Sequence, residues 1–161
     1  MLDILVYLFE NYIYEEAEEG SSPAQLRDEL VRAGFSENDI ERAFSWLEGL
    51  SGLQGESAKS AAAVVGQTGR EISFRIYSVA EQAVIGRDEQ GLLLYLEQIG
   101  VLNAEAREAV IDRVMALETT AFDKEHLKWV VLMVLFNQPG AESSYAWMED
   151  FVYDGAPDLL N

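Results

Sequence analysis

The chain has 161 residues, of which 49% are hydrophobic, with no Cys, and 29 acidic against 11 basic side chains give a net charge of −18. Such a chain can bury one good core, or a core and a small satellite domain, and the lack of Cys excludes disulfides and thiolate metal sites. The charge opposes binding to nucleic-acid phosphate or anionic lipid and suits a basic protein partner, although strong negative charge also serves solubility alone.

A first helix is expected from about Leu2 to Tyr14, with Leu5, Phe9, Tyr12 and Ile13 on one face. Its opening, MLDILVYLFENY, places Asp3 where a secretory leader carries basic residues, so it is read as a mature helix and the protein as cytoplasmic. Glu15, Glu16, Glu18 and Glu19 follow, with their carboxylates against the negative end of the helix dipole. An exposed acidic turn closed by Gly20 is expected there, and it is a candidate contact surface. A purely solvated charge run is the competing reading.

Ser22-Pro23-Ala24-Gln25 reads as a capping box with proline at the first helical position, opening a second helix that stops at Gly34. Phe35 is expected to fold back on Leu30, and Ser36 to cap a third helix with Asp39 at its third position. Ile40, Ala43, Phe44 and Leu47 give that helix its buried stripe, leaving Glu37, Asn38, Glu41, Arg42, Ser45 and Glu48 outward. Three short helices with such a turn resemble a helix-turn-helix domain, and LVRAGFSENDIERAF resembles the turn of ubiquitin-associated-type modules. A recognition helix needs cations for phosphate and amide or guanidinium groups for base edges. The outward face here is mainly acidic, so direct DNA binding is not expected.

Residues 51–71 are rich in Gly, Ser and Ala and read as a linker or loop, with Ala62 to Val65 as a weak strand. Ile72, Phe74 and Ile76 alternate with Ser73, Arg75 and Tyr77, so residues 72–78 read as a strand. Paired with Ala62 to Val65, it would complete a winged-helix-like hairpin on the three-helix module of residues 1–50.

Residues 79–161 read as a helical domain. Ser78-Val79-Ala80-Glu81 is a second capping box, opening a short helix ended by Gly86. A largely buried helix follows near Asp88 to Ile99, closed by Gly100 with Val101 against Leu96. Asn103 caps an amphipathic helix with Val110, Val114 and Leu117 inward and Glu105, Arg107, Glu108, Asp112 and Arg113 outward. The stretch Phe122 to Gly140, FDKEHLKWVVLMVLFNQPG, is the centre of the expected fold. Asp123 caps it, Phe122 and Leu127 form a hydrophobic staple, and Pro139 with Gly140 ends it. From Trp129 to Phe136 every residue is apolar, which requires neighbours on all sides. The run falls far short of the roughly 20 residues a bilayer demands, so no membrane span is expected. Tyr145, Met148 and Val152 mark a last helix, with Trp147, Phe151 and Tyr153 around it.

Four blocks in order, LDILVYLFENYI, RIYSVAE, GLLLYLEQIGVLNAEAREAVIDRVMAL and LKWVVLMVLFNQPG, resemble the Smg family of small acidic bacterial proteins over nearly the whole chain. Residues 51–69 do not match clearly. The resemblance implies no established activity and no catalytic residues. It also implies a genomic setting near genes for DNA processing and translation initiation chemistry.

No phosphate-cradling glycine loop, paired-histidine zinc motif or calcium-loop spacing is present. His126, the single histidine, sits in the first turn of the core helix, where a surface or cap role is expected. The expectation is therefore a non-enzymatic interaction or adaptor protein without cofactor or metal, contacting a basic protein partner through Glu15, Glu16, Glu18, Glu19, Glu37 and Glu41. The alternative is a regulator linked to nucleic-acid metabolism, acting by weak DNA binding or by mimicry of phosphate charge.

Overall fold

The structure is a computed structural model that describes residues 1–13, 22–61 and 75–154, with side chains at 1–11, 22–53 and 75–154. The described residues form eight α-helices and no strand. The chain divides into two compact units, Met1–Gly49 and Leu50–Asn161.

In the first unit, α1 (Leu2–Leu8) buries Ile4, Leu5 and Leu8 and widens into a π-helical turn over Phe9–Ile13. The Asn11 side-chain amide in that turn donates to the Tyr7 carbonyl at 2.8 Å. Helix α2 (Pro23–Arg32) starts on the expected capping box: the Gln25 amide donates to Ser22 Oγ at 3.4 Å, and the Ser22 amide donates to Gln25 Oε1 at 2.9 Å. It ends in a Schellman turn. Gly34 takes φ 97°, a conformation costly for a side chain with a Cβ, and the Phe35 amide reaches back to the Leu30 carbonyl at 3.1 Å. The Phe35 ring then meets Tyr7 edge to face, with centroids 5.9 Å apart.

Helix α3 (Glu37–Ala61) is opened by Ser36, whose Oγ accepts from the Asp39 amide at 3.2 Å. Ile40, Ala43 and Trp46 are buried, while Phe44 and Leu47 are half-buried. The helix continues through Ala61, where the composition of residues 51–71 had read as a linker. Gly52 and Gly55 each cost a helix about 1 kcal/mol relative to Ala. Leu53 and Gln54 between them and Glu56, Ala58 and Lys59 after them are good helix formers, and a modest glycine cost does not end such a run.

The winged-helix reading is not supported, because no strand exists among the described residues. Most of its hairpin, including Ala62 to Val65, Ile72 and Phe74, lies outside them. The part that is described has the opposite polarity from the one read off the alternation. Ile76, assigned to a buried face, is 90% exposed, whereas Arg75 and Tyr77 are half-buried. Ion pairs and hydrogen bonds, not an apolar face, hold this stretch.

The second unit contains α4 (Val79–Val84), α5 (Arg87–Gln98), α6 (Ala104–Ala116), α7 (Lys124–Asn137) and α8 (Glu142–Tyr153). α4 begins with a complete Ser78/Glu81 capping box, and α6 begins with Asn103 Oδ1 accepting from the Ala106 amide at 2.7 Å. α5 closes on Gly100 at φ 84°, with the Val101 amide donating to the Leu96 carbonyl at 2.9 Å. α5 buries Leu93 and Leu96 but leaves Leu94 46% exposed, so it is less enclosed than its leucine run implied.

Helix α7 is the core element. Asp123 Oδ1 accepts from the His126 amide at 3.0 Å to cap it, and Leu127 is fully buried. Val130 through Leu135 are all buried, with α5, α6 and α8 packed around them. The enclosure loosens at the ends: Trp129 is half-buried beside Tyr153, and Phe136 is 49% exposed beside Tyr145. Among the described residues, no helix is long and apolar enough to cross a membrane.

Candidate partner-binding surface and ion cluster

Of the six carboxylates singled out by sequence, the structure brings Glu37 and Glu41 together. They stand four residues apart on α3, on one face, and both are exposed. Glu37 lies in the first turn, where the helix dipole stabilises a carboxylate, which offsets the mutual repulsion of a like-charged pair at this spacing. Glu15, Glu16, Glu18 and Glu19 lie outside the described residues.

Two of the three described arginines of the first unit are engaged within the protein. Arg42 pairs with Asp39 at 3.9 Å, and the Arg27 guanidinium lies 5.1 Å above the Phe44 ring. The described part of the first unit carries eight carboxylates against three arginines, so its field is negative.

In the second unit, sequence reasoning missed a cluster of two arginines and three glutamates. Arg107 had been placed on the outward face of α6, yet it is only 6% exposed. It sits three residues before Val110 and seven before Val114, within the buried stripe, and that spacing was the signal available in the sequence. Its Nη1 donates to Glu97 Oε1 and Oε2 at 2.8 and 3.0 Å, while Nη2 and Nε donate to Glu108 Oε1 at 3.2 and 3.3 Å.

The same Glu108 oxygen accepts from Arg75 Nε at 2.6 Å. Arg75 also donates both terminal nitrogens to the Glu81 carboxylate, at 2.8 and 2.9 Å, and stacks 5.0 Å from the Tyr77 ring. The Arg75 hydrogen bond, assisted by the Ser78 amide, holds the Glu81 carboxyl down to about 2. Partial burial pushes Glu108 up, but the bonds and charges of Arg75 and Arg107 outweigh it and keep its carboxyl below the ordinary range. Donation to the Glu81 carboxylate, then to that of Glu108, raises the Arg75 guanidinium further above its usual value. Burial raises the Tyr77 phenol, opposed by the Arg75 charge. With its polar groups mutually satisfied, the cluster is suited to fastening elements together.

His126 contributes its backbone amide to the cap of α7, and its ring lies against Phe122 with centroids 5.9 Å apart. Its Nδ1 is 3.3 Å from Asp123 Oδ1 but outside hydrogen-bonding geometry. Among the described residues, no group of three or more His, Asp or Glu side chains could hold a metal ion.

Residues 1–161 match the family described as "Protein of unknown function (DUF494)". The chain belongs to the DUF494 family. Similar proteins include the "Protein Smg homolog" of Nitrosococcus oceani, 47% identical over 161 residues, covering 100% of this chain and 98% of that relative. The proteins of the same name from Vibrio atlanticus and Vibrio vulnificus are also 47% identical, over 100% of this chain and 99% of theirs. The resemblance carried by the four sequence blocks therefore extends over the whole chain, including residues 51–69, where it was not legible. No solved structure matches this DUF494 member.

Proposed function

We propose that this protein is a non-catalytic interaction protein that offers an acidic surface, including Glu37 and Glu41 on α3, to a basic protein partner. The observation that carries this reading is the unequal disposition of charge. Arg42, Arg75, Arg107, Arg113 and Lys128 are paired with the protein's own carboxylates, and Arg27 covers Phe44, out of 11 basic side chains in all. Glu37 and Glu41 meanwhile face solvent. Cations already engaged internally have little left for phosphate, and this supports a protein partner over duplex DNA. An exposed carboxylate face raises encounter rates with a cationic surface and discriminates against acidic competitors.

The test is capture of cell proteins by the tagged full chain and by a Glu37→Gln/Glu41→Gln variant at low salt. The proteins enriched by the wild type should be basic, and they should be depleted both with the variant and at about 0.5 M salt, where screening acts within a few ångströms. Equal recovery by both chains at all salt concentrations would overturn this assignment of the surface.

A further inference from the structure

The stretch from Arg75 to Val84 is attached to the second unit by unusual means. α4 has only six residues, and none of them is buried. A helix this short does not persist in water by its own propensity. The four residues before it form neither helix nor strand, and the large apolar side chains Ile76 and Val79 are 90% and 86% exposed. Tyr77 and Val84 are half-buried, and full apolar burial resumes only at Ile85. The stretch nevertheless packs on α6.

Two sets of polar contacts account for this. One closes the stretch on itself: Arg75 grips Glu81 with two bonds, Glu81 Oε2 also accepts from the Ser78 amide at 2.9 Å, and the Gln82 side chain donates to the Tyr77 carbonyl at 2.8 Å. The other set joins it to the core through a single carboxylate. Glu108 Oε1 receives Arg75 from the side of the stretch and the buried Arg107 from the side of the core, while Glu97 of α5 holds Arg107 in place. Glu108 is half exposed, so water and salt reach the joint.

We propose that residues 75–84 form a detachable strap, internally cross-linked and latched to α6 through Glu108, which opens and closes as one body while the α5–α8 core remains folded. The Arg75–Glu81 and Ser78–Glu81 bonds tie the stretch into one cooperative unit, and a six-residue helix released from α6 does not keep its backbone bonds in water, so the Gln82 and Ile85 amides exchange when the latch opens. Removing the Glu108 charge leaves the Arg75 and Arg107 guanidiniums facing each other without their shared anion, which favours the open form. Elements of low local stability are the ones from which moving parts of proteins are drawn. This inference is independent of the acidic surface on α3.

The test is native-state amide hydrogen exchange on the full chain, comparing the Gln82 and Ile85 amides, bonded to the Ser78 and Glu81 carbonyls at 2.9 and 2.7 Å, with those of Val131 to Leu135 in α7. In the wild type, Gln82 and Ile85 should exchange faster than α7, with little dependence on low denaturant. Raising salt should speed them further and leave α7 unchanged. Glu108→Gln should lower their protection by about five-fold or more, the size of a partly exposed charge-assisted bond, and Glu108→Asp should restore part of it. Exchange of Gln82 and Ile85 at the rate and denaturant slope of α7 in the wild type would overturn the proposal. So would loss of α7 protection in parallel with theirs in Glu108→Gln.

Discussion

A guanidinium taken out of water is tolerated only when its charge and its donors are met, and truncation of such a group leaves its partners stranded. Arg107 meets the condition through Glu97 and Glu108, so Arg107→Ala should destabilise the second unit by about 1–3 kcal/mol, a buried-pair value reduced because both carboxylates keep contact with water. Arg107→Met, which preserves much of the packing volume, should cost less than Arg107→Ala in urea denaturation. Equal costs would assign the whole effect to the charge. Glu81 gives a pH signature. Its carboxyl titrates at about 2 in the folded protein against an ordinary 4.5. The unfolded chain therefore takes up the proton first, so the stabilisation from Glu81 is complete above about 4.5 and is lost as pH falls through about 2. A carboxyl-detected NMR titration should place the Glu81 midpoint near 2, and Arg75→Gln should move it up towards 4.5. No movement would mean that Arg75 is not the partner that depresses it. At this scale the sequence was a partial guide. The capping residues Ser22, Ser36, Ser78, Asn103 and Asp123 were legible because a cap is a local bond across three residues. The Arg75 to Glu108 contact spans 33 positions and left no local trace.

Among the elements, α7 carries the greatest share of burial, and its neighbours are arranged to enclose it. Leu132 is fully buried in its middle, so Leu132→Ala should cost about 2–5 kcal/mol in chemical denaturation through lost transfer energy and the cavity left behind. A loss below about half a kcal/mol would show that the site collapses or that the helix is exposed. This helix was the most legible element, since an apolar run bounded by an aspartate cap and Pro-Gly allows few alternatives. The extent of α3 and the form of residues 75–78 were not legible. Gly-, Ser- and Ala-rich composition is shared by linkers and by weak helices, so residues 51–61 looked like the former and are the latter. Alternation in Phe74, Arg75, Ile76 and Tyr77 satisfied a strand pattern, but that pattern presumes the apolar residues face inward. Here the charged partners of Arg75 reverse the orientation and turn Ile76 to solvent.

For the whole molecule, charge distribution matters more than any single site. Net charge of −18 repels a polyanion at long range, and Arg27, Arg42, Arg75 and Arg107 are engaged with the protein's own carboxylates and rings. The purified protein should therefore show no saturable, sequence-dependent binding to duplex DNA at physiological salt. A gel-shift titration showing such binding would revive the nucleic-acid reading. The negative surface could be foreseen from composition, and the exposed position of Glu37 and Glu41 from the periodicity of α3. The internal engagement of the cations could not, because it depends on which surfaces the fold brings together. The most direct measurement is the ionic-strength dependence of the association rate between this protein and the basic partner proposed for it, taken as the protein enriched in the capture experiment. The expected result is a rate that falls steeply with salt and a clearly shallower dependence for Glu37→Gln/Glu41→Gln, with most of the difference at low salt. Superimposable rates for the two chains across the salt range would contradict the claim that this acidic face guides the interaction.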